Sequence, residues 1–167
     1  MLGGSYNSLV TKQEQVDKEL ANIDVQLERR ADLIPNLVST VKGYTSHESE
    51  IIDKITSARE NLLKADSVSE KSTANNELTS ALNALMVVVE NYPDLKSNQN
   101  FIQLSDELAG TENRIATARR DYNDSVTSYN TSIKKFPTNI LAGMFGFEKK
   151  DYFEVSEGKT DVPNVEF

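Results

Sequence analysis

Hydrophobic positions recur in steps of three and four along most of the chain, the seam of helices packed at shallow angles on their neighbours. Leu9, Val16, Leu20, Ile23 and Leu27 predict a first helix over about 6–31. Ile34, Leu37, Val41, Tyr44, Ile51, Ile55, Ala58, Leu62 and Ala65 predict a second over about 33–65, with Glu48 as the one charge in the seam. Ser67-Val-Ser-Glu70 is a capping box, in which each side chain serves a free N–H of the first turn, and it opens a third helix carrying Leu78, Leu82, Leu85, Val89 and Tyr92. Pro93 stops that helix, while Asp94 and Asn98 suit a turn or a cap. A fourth seam runs from Phe101 through Leu108, Ile115, Tyr122, Val126 and Tyr129 to Phe136, where Pro137 ends it.

One stretch interrupts the pattern. RRADLIPNLV, Arg29 to Val38, reads as a tight corner in which Asp32 caps a helix whose first turn holds Pro35, a place where the missing N–H removes no helical bond. Arg29 and Arg30 would then face the negative end of the preceding helix. The alternative is a single long helix kinked at Pro35, at a cost of about 3 kcal/mol or more. The corner gives an all-α, antiparallel up-and-down four-helix bundle with both chain ends at one pole; the kink gives a three-helix bundle with one long helix.

In the corner topology Arg29, Arg30, Asp32, Asp94 and Lys96 gather at the pole opposite the chain ends and form a candidate partner surface. Counting down from that pole puts Glu48 level with Arg114 and Asn113, which predicts a polar layer between helices, and puts Gly43 level with Gly110, which predicts a close backbone approach. The cluster TENRIATARRDYND is expected to be a solvated face, with a polar network involving the repeated Tyr-Asn pairs Tyr6-Asn7, Tyr122-Asn123 and Tyr129-Asn130 as the sharper reading. Leu85 to Val89 is expected to be core, with self-association as its alternative.

A chain of 167 residues is long enough to bury roughly two-thirds of its unfolded surface in one core. Eighteen basic against 26 acidic residues give a net charge of −8, which disfavours nucleic acid as a partner. No cysteine is present, so thiolate chemistry and disulfides are excluded. The single histidine, His47, precedes Glu48, but the position three before it is Tyr44 and no second histidine exists, so the Glu-x-x-His metal pattern of helical bundles is not met. Phosphate-binding glycine loops and a nucleophile–base pair are also missing. No cofactor and no enzymatic activity are expected.

Domain boundaries follow: 1–5 as an artificial or residual start behind a removed membrane anchor, 6–136 as the bundle, 137–147 as an apolar base segment and 148–167 as a flexible charged tail. The longest apolar run falls far below the about 20 residues a bilayer requires, so the chain as it stands is expected to be soluble. With both ends at one pole, Ile140, Leu141, Met144, Phe145 and Phe147 are candidate membrane contacts, flanked by Lys134, Lys135, Lys149 and Lys150.

YNSLV, IDVQLERRADLIPNLVSTVKGY, NYPDLKSNQNF, TENRIATARRDYND and FPTNILAGMFGF together resemble the LemA family of bacterial proteins over nearly the whole chain. The resemblance implies a single membrane-spanning helix immediately before the YN-x-LV string, hence a cell-membrane location with the side unassigned, and a helical body of unestablished role. It supplies no catalytic residues. The functional expectation is a non-enzymatic scaffold or protein-interaction module of the bacterial envelope, with an unknown protein partner and homo-oligomerisation open. A groove module binding a peptide or helix is the alternative, and an enzyme or regulator with a cryptic site the weaker one.

Overall fold

The computed structural model describes residues 2–154, which form the helices α1 Leu2–Lys42, α2 Ser49–Lys64, α3 Val68–Val89, α4 Pro93–Lys96, α5 Gln99–Lys134 and α6 Thr138–Phe145. Among the described residues there is no strand, and the all-α prediction holds.

RRADLIPNLV is not a corner. α1 runs unbroken through it, with Pro35 inside the helix and its ring turned to solvent. Proline lacks the N–H that would bond the carbonyl four residues back, which here belongs to buried Ala31. That carbonyl instead accepts a hydrogen bond from Arg59 Nε of α2 at 2.8 Å. The gap in the helical ladder is thus an acceptor for a neighbouring helix, and a side chain 28 residues away offsets the local cost of the proline. Replacement of Arg59 by leucine is expected to lower stability by about 1–2 kcal/mol, because a buried carbonyl loses its partner. In a Pro35→Ala background, where residue 35 regains an N–H, the same replacement should cost close to nothing. Urea unfolding of the four proteins measures the difference, and equal costs in both backgrounds would show that the two residues are not coupled.

The first corner lies instead at 43–48, between α1 and α2. Gly43 is therefore not a mid-helix close approach; a Cβ there would meet the carbonyl of Thr40 in its own turn. Gly110 does not face it either, for a Cβ there would meet the Arg114 guanidinium on the same helix. The predicted alternation survives with shifted boundaries. α1 and α5 are antiparallel along their length, paired from Lys12 Nζ to Ser132 Oγ (2.6 Å) through Arg114 Nε to Gln26 Oε1 (2.9 Å) to Asn98 Nδ2 and the Tyr44 hydroxyl beyond α1 (2.8 Å). α2 returns along α1, and α3 runs parallel to it, as Lys71 to Asp24 and Arg30 to Asn75 require.

Helix lengths shape the rest. α1 has 41 residues and α5 has 36, whereas α2 has 16 and α3 has 22, so the α2–α3 hairpin covers only the half of the α1–α5 pair nearest the 43–48 corner. Asp32, inside α1, caps nothing, but two other capping predictions hold: Ser67 and Glu70 form the reciprocal box, and the Asn98 side chain accepts from Phe101 N. The core is one continuous cluster running from Val16 in α1 through Leu78 and Leu85 in α3 to Val126 and Tyr129 in α5. Leu85 and Val89 belong to it, and Val87 of the same run points to solvent.

Candidate functional site

Three arrangements stand out: an apolar base, a strapped groove above it, and a buried arginine further up.

At the base, α5 ends at Lys134 and the chain turns through a cis Phe136–Pro137 peptide into α6. Gly146 closes α6 in the left-handed conformation, φ 75°, that glycine adopts without strain. Leu141 and Ala142 are buried, so Leu141 is not available as a membrane contact, and Phe147 is half-buried against the core. Ile140, Met144 and Phe145 are exposed at 53%, 70% and 56%, and Phe136, which the sequence reading assigned only to the end of the α5 seam, is exposed at 79%. Tyr6 of α1 meets Phe145 and Phe147 edge-on, with ring centroids 5.0 and 6.0 Å apart, which fixes the start of α1 at this pole. Lys134, Lys135 and Lys149 are exposed as well.

From Phe147 the chain doubles back along α5, where no helix covers it. The sequence predicts a flexible tail from 148 onward, but residues 150–153 are pinned by Tyr122, Asn123, Thr127 and Asn130. Asn130 donates from Nδ2 to the Lys150 carbonyl (3.0 Å) and accepts from the Lys150 N–H (2.8 Å). Asn123 does the same to Phe153, at 3.1 and 2.9 Å. The Tyr122 hydroxyl donates to the Asp151 carbonyl (2.8 Å), and Thr127 pairs with the Tyr152 hydroxyl (3.0 Å). The Phe153 ring is 1% exposed within the core, a burial that contributes roughly 2–3 kcal/mol. Lys150 lies over the Tyr129 ring at 5.7 Å. The polar network suspected around the repeated Tyr-Asn pairs is therefore real at Tyr122, Asn123 and Asn130, whereas the buried Tyr129 hydroxyl has no partner, and the network reads backbone of the same chain rather than side chains of another helix. The tail beyond residue 154 lies outside the described residues.

Higher in the body, the predicted partner surface does not assemble. Arg29 and Asp32 are exposed midway along α1, and Arg29 pairs with Glu107 of α5 at 2.8 Å. Arg30 is buried. Its Nη1 donates to Asn75 Oδ1 (2.5 Å) and Thr79 Oγ1 (2.9 Å) of α3, and Nη2 to Glu112 Oε2 of α5 (2.7 Å), while Nε has no partner. Burial pulls this guanidinium below its ordinary basicity, and the Glu112 charge opposes that. Asp94 and Lys96 do sit at the far pole, in α4, where Lys96 pairs with Glu90.

The predicted polar layer is corrected in the same way. Glu48 accepts from the Tyr92 hydroxyl (3.0 Å) at the far pole, a contact that holds the tyrosine proton more tightly, and it does not meet Arg114. Arg114 and Asn113 line an open, mainly apolar depression on the outer α1–α5 face, with Val25 and Ala118. The count failed because it started from a corner at Asp32 instead of the 43–48 corner; the layer that exists, Arg30–Asn75–Thr79–Glu112, is the one the misplaced corner concealed. His47 is exposed in that corner, and no metal-binding cluster occurs among the described residues. The Glu70 carboxyl is held below the usual range by the Asp66 and Ser67 N–H groups, a capping effect on an exposed helix start. Among the described residues no helix is long and apolar enough to cross a membrane.

A family model for the LemA family matches residues 19–167. The chain is 33% identical over 175 residues to Magnetosome protein MamQ 2 of Paramagnetospirillum magneticum, covering 89% of this chain and 64% of that protein. It is 30% identical to Magnetosome protein MamQ of Magnetospirillum gryphiswaldense, over 94% of this chain and 68% of that protein. To Protein LemA of Metamycoplasma hominis it is 30% identical, over 98% of this chain and 75% of that protein. The chain thus spans somewhat under two thirds of the length of the first of these relatives.

Proposed function

Because the chain belongs to the LemA family, we propose that it is the non-enzymatic helical body of a membrane-anchored protein of the bacterial envelope, serving as a scaffold or protein-interaction module. The observation that carries this reading is the base. Phe136, Ile140, Met144 and Phe145 are exposed at the pole where α1 begins, and the exposed Lys134, Lys135 and Lys149 flank them in the chain. Apolar side chains flanked by lysine suit the interface of an anionic bilayer, with rings and aliphatic groups below the headgroups and ammonium groups among them. In the full protein an anchor preceding the YN-x-LV string would enter the membrane beside these side chains.

The rest of the molecule supports a binding role over a catalytic one. The terminal nitrogens of buried Arg30 are spent on Asn75, Thr79 and Glu112, and the surface depressions along α5 are open. The relatives named as magnetosome proteins lend weight to a membrane setting.

Co-sedimentation with vesicles tests the reading. The chain should pellet with vesicles containing phosphatidylglycerol and less with pure phosphatidylcholine, and Ile140→Asp/Met144→Asp should weaken binding by about tenfold or more, since each removed apolar group had contributed interfacial burial. Equal pelleting of the two proteins, or none by the wild type, would remove the membrane-facing assignment of the base.

A further inference from the structure

The groove on α5 recognises an extended segment through its main chain. Asn123 and Asn130 each hold both the N–H and the C=O of one residue, Phe153 and Lys150 respectively. Seven residues of helix rise about 10.5 Å and three extended residues span about 10 Å, so one segment in register meets both amides together. Tyr122 adds a donor to the carbonyl of Asp151, and the single deep side chain is Phe153. Nothing in this seat depends on the segment belonging to the same molecule.

We propose that the groove is an interface between copies of this chain: the 149–154 segment of a second copy takes the Asn123/Asn130 seat in place of the resident one, linking two bodies by exchange of straps. A second copy is the occupant because its segment reproduces every contact just described, so exchange trades each bond for an identical one. The connection also permits it. The segment leaves the body directly after the packed Phe147 and the left-handed Gly146, through exposed Glu148 and Lys149, and is held by no helix of its own. In dilute solution the short tether favours the resident segment; copies gathered on one surface meet at much higher effective concentration. The proposal deepens the scaffold reading and rests on it for that gathering.

Two complementary variants test it. Phe153→Asp provides an acceptor, with its groove intact and a segment that cannot bury a charge. Asn123→Ala/Asn130→Ala provides a donor, with an intact segment and no seat, and Tyr122→Phe/Asn130→Ala is a second donor if the first does not melt cooperatively by circular dichroism. Each variant alone should sediment as a monomer, and the mixture should give a one-to-one complex of twice the mass that a synthetic peptide of residues 148–154 dissolves. No complex in the mixture overturns the proposal, as does an acceptor that binds the peptide but not the donor, which would instead make the groove a site for free extended peptides. Both variants keep the apolar base, so their vesicle binding reports separately on the membrane reading.

Discussion

Replacement of Arg30 by alanine is expected to lower the free energy of unfolding by about 3–4 kcal/mol, through the cavity left by a buried side chain and the hydrogen bonds lost at Asn75 and Thr79; Glu112, 37% exposed, keeps access to water. Its side chain is 2% exposed and its two terminal nitrogens serve three acceptors on two other helices. Truncation leaves a cavity and strips Asn75, itself buried, of its donor. For a chain of this size the loss corresponds to a fall in Tm of roughly 10 °C, readable by circular dichroism. Lysine should rescue little, because one ammonium on a flexible stem does not reproduce a planar fork aimed at both α3 and α5. Glu112→Gln should cost less than the alanine change, since it keeps a hydrogen-bond acceptor beside the guanidinium while removing the charge. A fall of under about 1 kcal/mol for Arg30→Ala would mean that the layer is dispensable for stability.

The second large effect is alkaline. Burial, followed by the charges of Asp151 and Asp17, pushes the Tyr122 hydroxyl up from 10 to about 12. Between those values the unfolded chain releases this proton while the folded chain keeps it, so the folded state binds more protons and stability falls as pH rises. The stabilisation is complete below pH 10 and is lost as pH passes through about 12, a change of roughly 2–3 kcal/mol. Burial also raises the Tyr129 hydroxyl, which adds to the trend in the same direction. Tyr122→Phe removes a donor to the Asp151 carbonyl and should be less stable than wild type at neutral pH, but its stability should decline less between pH 10 and 12. Parallel curves for the two proteins would show that Tyr122 does not titrate in this window.

Much of the architecture is legible in the sequence because helix seams and caps are local signals. Leu9, Val16, Ile23 and Leu27 are all buried, and the Ser67–Glu70 box sits at the start of α3. Pro35 misleads for a physical reason. Local rules charge a proline its missing bond, and the bond is replaced by Arg59 from a helix whose position a local rule does not see. From that one error followed the misplacement of Arg29, Arg30 and Asp32 at a pole, and the pairing of Glu48 with Arg114. The strap was hidden differently. Residues 150–153 have no periodicity because they are held by side chains of α5, and the only trace in the sequence is the heptad repeat of Tyr-Asn at 122–123 and 129–130. Of the candidate membrane contacts, Ile140, Met144 and Phe145 face outward while Leu141 turns inward, as an amphipathic helix resting on a core requires, and Phe147, beyond the helix, is half-buried against the core.

The unbroken course of α1 gives the body a fixed reach. Forty-one residues at the helical rise amount to about 60 Å, and α5 runs beside them with no corner in either strut. A folded linker of the same length would let its tip wander; two paired struts do not. Were the base seated at a bilayer as proposed, the tip formed by 43–48 and α4 would stand off by that distance, and the helix count would act as a ruler.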